Sequence, residues 1–244
     1  MKSQSPSPSS SQSQYGQYCP LAMSAEFLCS RWTILILREL LFGSTGFNDI
    51  SRGVPRMSRT LLSKRLKELV DRGVITRQQK TVSREVQYRL TEAGEALGPV
   101  VMGMAHWGQE WLEIEPSLEN VDVGFLMWDI HRNAVPMKDL PNPFIVEFFL
   151  NNVDENKSTH WLVFEDDKVD LCHIDHGFTV DVQIDVSIEK LTKVWMGWED
   201  MSEAIKQNQL KLKGKKTYTD LATTWLGASS VSHIKKRAVD QRIS

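Results

Sequence analysis

Between residues 52 and 84 ten basic residues meet two acidic ones, a local net charge of +8 in a chain whose total is −2. The rest of the chain therefore carries −10, and a positive field on an otherwise acidic protein suits a polyanion docking at one face. Hydroxyl side chains are interleaved with the cations at Ser58, Thr60 and Ser63, so hydrogen-bond donors accompany the charge. No other constellation carries chemistry as well. Ser, His and Asp are present without a nucleophile elbow, and phosphate-cradling glycine loops are absent. His173 and His176 flank Asp175, but on an expected strand they point to opposite faces and no third ligand is evident. Three cysteines without metal-type spacing exclude a disulfide framework and a zinc site as readings. The expectation is a non-enzyme with no cofactor and no metal. Cys19 precedes Pro20 at an expected helix start, where a thiolate is stabilised; a reactive thiol and a buried inert one both remain open. Cys29, in an apolar helix, reads as structural.

The basic window needs elements to position it. Residues 1–17 are a Ser/Gln/Pro tract with little to bury, expected to be a disordered tail. Short helices follow at 21–29, 31–42 and 47–52, the second stopped by Gly43 to Gly46 and the third by Gly53-Val54-Pro55. Ser58 is a good N-cap for a helix running to Arg72, with Gly73 ending it. At 100° per residue Leu61, Leu62, Leu66, Leu69 and Val70 share one face. Thr60, Ser63, Lys64 and Lys67 point the other way, Arg59 lies at the edge of that face, and Arg65 falls on the apolar side, where it snorkels or pairs. After Gly73 the period becomes two, giving a hairpin over 74–80 and 84–90 with basic residues near its tip. One long helix is expected from 91 to 112, with Val100, Val101, Met104, Ala105, Trp107 and Trp111 as its apolar positions.

Three short helices, a basic-faced helix and a basic hairpin constitute a winged helix-turn-helix, a unit that sets one helix in the major groove and the hairpin beside it. The expected DNA-contacting residues are Ser58, Arg59, Thr60, Ser63, Lys64 and Lys67 on the helix and Arg77, Lys80 and Arg84 on the wing, with double-stranded DNA as partner. Cys19-Pro20, the run Arg31 to Leu40 (RWTILILREL), Phe47-Asn48-Asp49-Ile50, the run Ser58 to Leu69 (SRTLLSKRLKEL), Tyr88-Arg89-Leu90-Thr91 and Trp107-Gly108 resemble the HxlR family of bacterial winged-helix regulators. The resemblance covers residues 18–112. It implies a homodimer whose terminal helices form much of the interface, and a cysteine at the position of Cys19 that can sense oxidants or electrophiles.

Residues 113–120 read as a linker, 121–230 as a second domain and 231–244 as a tail. Helices are expected at 121–132, 187 onward with Ser187 as cap, 201–207 and 218–226; strands at 144–150, 159–164, 169–174, 178–186 and 210–213. The fold class is α+β, an antiparallel sheet with helices on one side. Asp181-Val182, Ile184-Asp185-Val186, the run Leu191 to Trp198 (LTKVWMGW), Ala204-Ile205 and Leu210-Lys211-Leu212-Lys213-Gly214 resemble the sterol-carrier-protein fold, which encloses an apolar tunnel. Trp198 departs from that pattern by separating Gly197 from Glu199. The resemblance implies a hydrophobic small-molecule effector; Trp128, Trp161, Trp195, Met196 and Trp198 are the candidate lining, and the same residues are also what ordinary core packing needs.

The composition, 41% hydrophobic and 25% charged, is that of a soluble globular protein, with no signal-like start and no apolar run long enough to span a bilayer. A cytoplasmic DNA-binding transcriptional regulator is the leading expectation. A hydrophobic-ligand carrier using the winged helix only to dimerise, and a redox sensor acting through Cys19, are the alternatives; the first gives no reason to gather +8 on one window.

Overall fold

The computed structural model describes residues 15–79, 85–113 and 115–243. Lys80, Arg84, the expected turn at 81–83 and most of the expected tail lie outside the described residues. The chain forms two compact units: one holds the residues through Ile50 together with Met57–Gly98, the other Ser51–Arg56 together with the residues from Pro99 onward.

In the first unit α1 (Pro20–Leu28), α2 (Thr33–Leu41), the start of α3 (Phe47–Gly53) and α4 (Arg59–Asp71) precede a hairpin of β1 (Ile75–Gln79) and β2 (Val86–Leu90), and α5 (Glu92–Glu95) follows. Helix α4 begins where its cap says: the Ser58 side chain accepts from the Leu61 N–H at 3.3 Å. Gly73, at φ +70°, turns the chain out of α4 into β1. Ile36, Leu37, Leu40, Leu62, Leu66, Leu69 and Ile75 are buried. Two features were invisible to periodicity. Gly46 bridges to Gln87, and Tyr88 N donates to Thr45 O at 2.9 Å, adding a third edge to the hairpin. Glu39 is wholly buried on α2, where its carboxylate accepts from Arg38 at 2.8 Å and from Ser44 Oγ at 3.4 Å.

The single helix expected over 91–112 is two. Thr91 caps the short α5, and α6 (Gly98–Trp111) starts afresh. Pro99 explains the break: it has no N–H to give the preceding turn and is well placed in the first turn of a new helix.

In the second unit α6, α7 (Glu115–Leu118) and α8 (Val123–Asn133) lead into β3 (Phe144–Leu150), β4 (Thr159–Glu165), β5 (Lys168–Cys172) and β6 (Val182–Val186). Then come α9 (Ile188–Trp195), α10 (Met201–Lys206), β7 (Leu210–Gly214), α11 (Lys216–Thr219) and α12 (Ala222–Leu226). Asp122, Ser187 and Asp200 cap α8, α9 and α10 through their side chains.

The sheet order is β5-β4-β3-β6-β7. It is mixed rather than antiparallel, because β3 and β6 pair in parallel with Val146 opposite Val182. The chain after β5 does not turn back beside it but crosses to the far side of β3, where Asp181 both donates to Ile145 O and accepts from Ile145 N. That crossing uses residues 173–181, so the strand expected from 178 begins only at Val182. Likewise the helix expected over 218–226 divides into α11 and α12, and Trp225 Nε1 donates to Tyr218 O across the division. Phe144, Phe148, Met127, Ile130, Leu191 and Trp225 fill the layer between helices and sheet, none more than 2% exposed.

Beyond α12 the chain returns to α6. Arg237 N donates to Glu110 O, Ile243 N to Trp111 O and Lys236 Nζ to Leu112 O, while the Arg237 side chain pairs with Glu110 at 2.6 Å. Carbonyls that a helix end leaves unsatisfied are met by this returning segment.

Candidate nucleic-acid interface

Helix α4 separates its side chains as the wheel requires. Leu62, Leu66 and Leu69 are buried, while Thr60, Ser63, Lys64 and Lys67 are all exposed. An outward row of two hydroxyls and two ammonium groups is the form of side chain that reaches base edges and phosphates in a major groove. Arg65, on the apolar side, pairs with Glu68 at 2.5 Å instead of joining that row.

Arg59, at the edge of that row, is held by its neighbours. Its guanidinium donates to Asn48 Oδ1 at 2.9 Å and lies 4.7 Å over the Phe47 ring, so the start of α3 holds the start of α4. Asn48 is the residue the sequence reading missed; its proximity to Arg59 depends on the angle between two helices, which periodicity does not contain. On the wing, Arg77 is exposed and sits opposite Tyr88. All of β1 beyond Ile75 is exposed on both faces, so the alternation expected of it is not a burial pattern. Arg89, also exposed, donates to Gln87 at 3.3 Å.

Cys19 is the N-cap residue of α1 and is exposed. Hydrogen bonds from the backbone N–H groups of Ala22 and then Leu21 hold its thiol below the usual cysteine range. Cys29 is exposed at the C-cap of α1, not interior, because α1 buries none of its own residues. In Cys172 burial, then Asp170, push the thiol up.

The five candidate lining residues are dispersed through the second unit. Trp195 Nε1 donates to Asp129 Oδ2 at 2.8 Å, and Trp198 Nε1 donates to Gln109 Oε1 at 2.9 Å. Gln109, buried on α6, also donates to Met196 O at 2.9 Å. Trp128 stacks on His131, and Trp161 faces Phe178 on the other side of the sheet. A cavity of about 200 Å³ lies on the sheet face that carries Glu147, Phe149, Gln183, Asp185, Lys211 and Lys213, and none of the five lines it. Among the described residues no group of three or more His, Cys, Asp or Glu could hold a metal ion. No single described helix is long and apolar enough to cross a membrane.

The family description "HxlR-like helix-turn-helix" matches residues 27–116. YvaP of Bacillus subtilis, an uncharacterized HTH-type transcriptional regulator, is 38% identical over 104 residues, which span 41% of this chain and 94% of that protein. The Synechocystis regulator sll1512, also an uncharacterized HTH-type protein, is 34% identical over 101 residues, 41% of this chain and 75% of its own. Among solved structures, the reduced form of the transcriptional regulator YodB from B. subtilis is 36% identical, covering 38% of this chain and 93% of that one at a TM-score of 0.35. With a relative spanned almost end to end by the same helix–helix–hairpin segment, the chain belongs to the HxlR-like helix-turn-helix family.

Proposed function

We propose that the protein is a sequence-specific DNA-binding transcriptional regulator that works as a homodimer. The observation that carries the DNA reading is the sorting of α4, with three leucines buried on one side and Thr60, Ser63, Lys64 and Lys67 exposed on the other. The dimer reading is supported by an apolar stripe on α6, where Val100, Met104 and Trp107 are each about half exposed at helical spacing. Ser58 supports the reading helix through its cap, Arg59 is held at its first turn, and Arg77 on β1, together with Lys80 and Arg84 of the same basic sequence window, is read as contacting phosphate. A gel shift on the protein's own promoter region tests this. Specific binding that survives competitor DNA is expected; weak binding without preference removes the regulator reading and leaves the carrier.

In this reading the second domain, residues 121–230, is a sterol-carrier-like layer that takes a hydrophobic effector and biases DNA affinity. Support comes from the helices and five-stranded sheet closing on an apolar interior. Because Phe144, Met127 and Trp225 fill that interior, an effector must select a state in which the layer has opened, which gives it the differential affinity that coupling requires. A second reading, oxidant sensing through Cys19, is favoured by one observation, an exposed thiol whose ionisation is eased by two backbone N–H groups. Cys19→Ser removes any oxidant response on that reading, and a mutant that still responds ends it.

A further inference from the structure

We propose that the segment from Ser229 to Ile243 is an autoinhibitory strap: it covers the end of the surface through which two copies of the chain pair, and pairing tightens when it lets go. The proposal rests on the homodimer reading and adds a control to it. On the helical wheel of α6, Met104, Trp107 and Trp111 all fall within about 40° of Val100, so the apolar stripe has a fourth member. Gln109 falls on the opposite side, where it is buried and donates to Met196 O. The stripe is therefore the side of α6 turned away from its own unit.

Trp111 differs from the other three in being covered. Val100, Met104 and Trp107 are about half exposed, whereas Trp111 is less so, because the Arg237 guanidinium lies 4.6 Å over its ring. The same guanidinium pairs with Glu110, one residue earlier, at 2.6 Å. Arg237 thus occupies the place that an apolar side chain of a second copy needs in order to reach the indole.

The strap has a fixed root and a lightly held arm. At the root Ser229 N donates to Trp195 O, Val231 is buried, and Gly197, at φ +70°, lets the backbone of Ser232 approach so closely that a Cβ would lie 2.4 Å from its carbonyl oxygen. From His233 to Ile243 no residue is buried, and Val239 and Ile243 remain 69% and 48% exposed. The arm is basic, with Lys235, Lys236, Arg237 and Arg242 against Asp240, and its seat is the carboxylates and carbonyls at the end of α6. Arg237 takes Glu110, Arg242 takes Glu113 at 3.5 Å, and Lys236 donates to Leu112 O at 2.7 Å. An arm held by exposed ion pairs and rim hydrogen bonds is released at little cost and is weakened by salt. Burial of an indole between two copies is not. Strap and second copy exclude each other at Trp111, so each lowers the affinity of the other.

The test is sedimentation equilibrium of the full chain without DNA, which keeps it separate from the regulator reading. Arg237→Ala retains the backbone N–H that meets Glu110 O but uncovers Trp111, and it is expected to tighten self-association about tenfold. Glu110→Gln, which removes the anchor of the guanidinium, should act in the same direction. In a Trp111→Ala background Arg237→Ala should change nothing, since the covered group is gone. Raising sodium chloride from about 0.05 to 0.5 M should tighten the unaltered chain and hardly move the Arg237→Ala variant. A segment that only completes the end of α6 gives the opposite sign, so weaker or unchanged pairing in Arg237→Ala would overturn the strap while leaving the homodimer. Absence of association in both the unaltered chain and Arg237→Ala at every concentration removes the homodimer reading and the strap with it.

Discussion

Arg59 and Glu39 show how much a single side chain owes to its neighbours. Arg59 was legible as a cation at the edge of the DNA face, but its bond to Asn48 and its seat on Phe47 come from the crossing of α3 and α4. Arg59→Ala is therefore expected to lower stability by about 1 kcal/mol, read from chemical denaturation, as well as to weaken DNA binding. Lys64→Ala and Lys67→Ala should leave stability unchanged, since both side chains are exposed. Each should cost about 1–3 kcal/mol of specific DNA affinity if it reads a base. A phosphate contact instead gives a uniform loss across sequences and a flatter salt dependence, so binding isotherms at several salt concentrations separate the two. Glu39 had no signal in the sequence beyond its place in an apolar run, and burial beside Arg38 and Ser44 explains why it is tolerated there. Glu39→Ala strands those donors and should cost about 1–3 kcal/mol in the same denaturation assay.

At the scale of elements, local signals read well where the cause is local. The Ser58 cap, the leucine face of α4 and the Ser187 start of α9 each follow from a few adjacent residues, and the structure has all three. Ser58→Ala is expected to cost about 1 kcal/mol and to loosen the first turn of α4, visible as faster amide exchange at Leu61. Elements failed where the deciding contact is distant. The parallel pairing of β6 with β3 depends on a crossing that no hydrophobic pattern encodes, and the break before α6 was a proline signal outweighed by a long apolar run. The candidate ligand residues failed to gather for a related reason. Tryptophans are conspicuous in a sequence, yet each of these has its own partner: Asp129 for Trp195, Gln109 for Trp198, His131 for Trp128 and Phe178 for Trp161.

For the molecule as a whole, His160 sets a pH dependence. Its pKa is about 4 in the folded protein against 6.5 for the free group, lowered by burial and then by His173. Between those values the unfolded chain holds a proton that the folded chain refuses, so stability falls as pH drops from 6.5 toward about 4. Urea midpoints followed across that window should decline, and His160→Leu should flatten the decline; an unchanged slope in the variant would assign the acid sensitivity to other groups.

The segment that returns to α6 carries a consequence for synthesis. Arg237 pairs with Glu110 across 127 residues of chain, so the ribosome delivers one partner long after the other. At the usual elongation rate the carbonyls of Glu110, Trp111 and Leu112 wait roughly 6–25 seconds for the backbone and lysine donors that satisfy them. Until then only water can meet those carbonyls. The last turn of the helix that presents Val100, Met104 and Trp107 is thus completed only after every strand of the second unit's sheet has been synthesised.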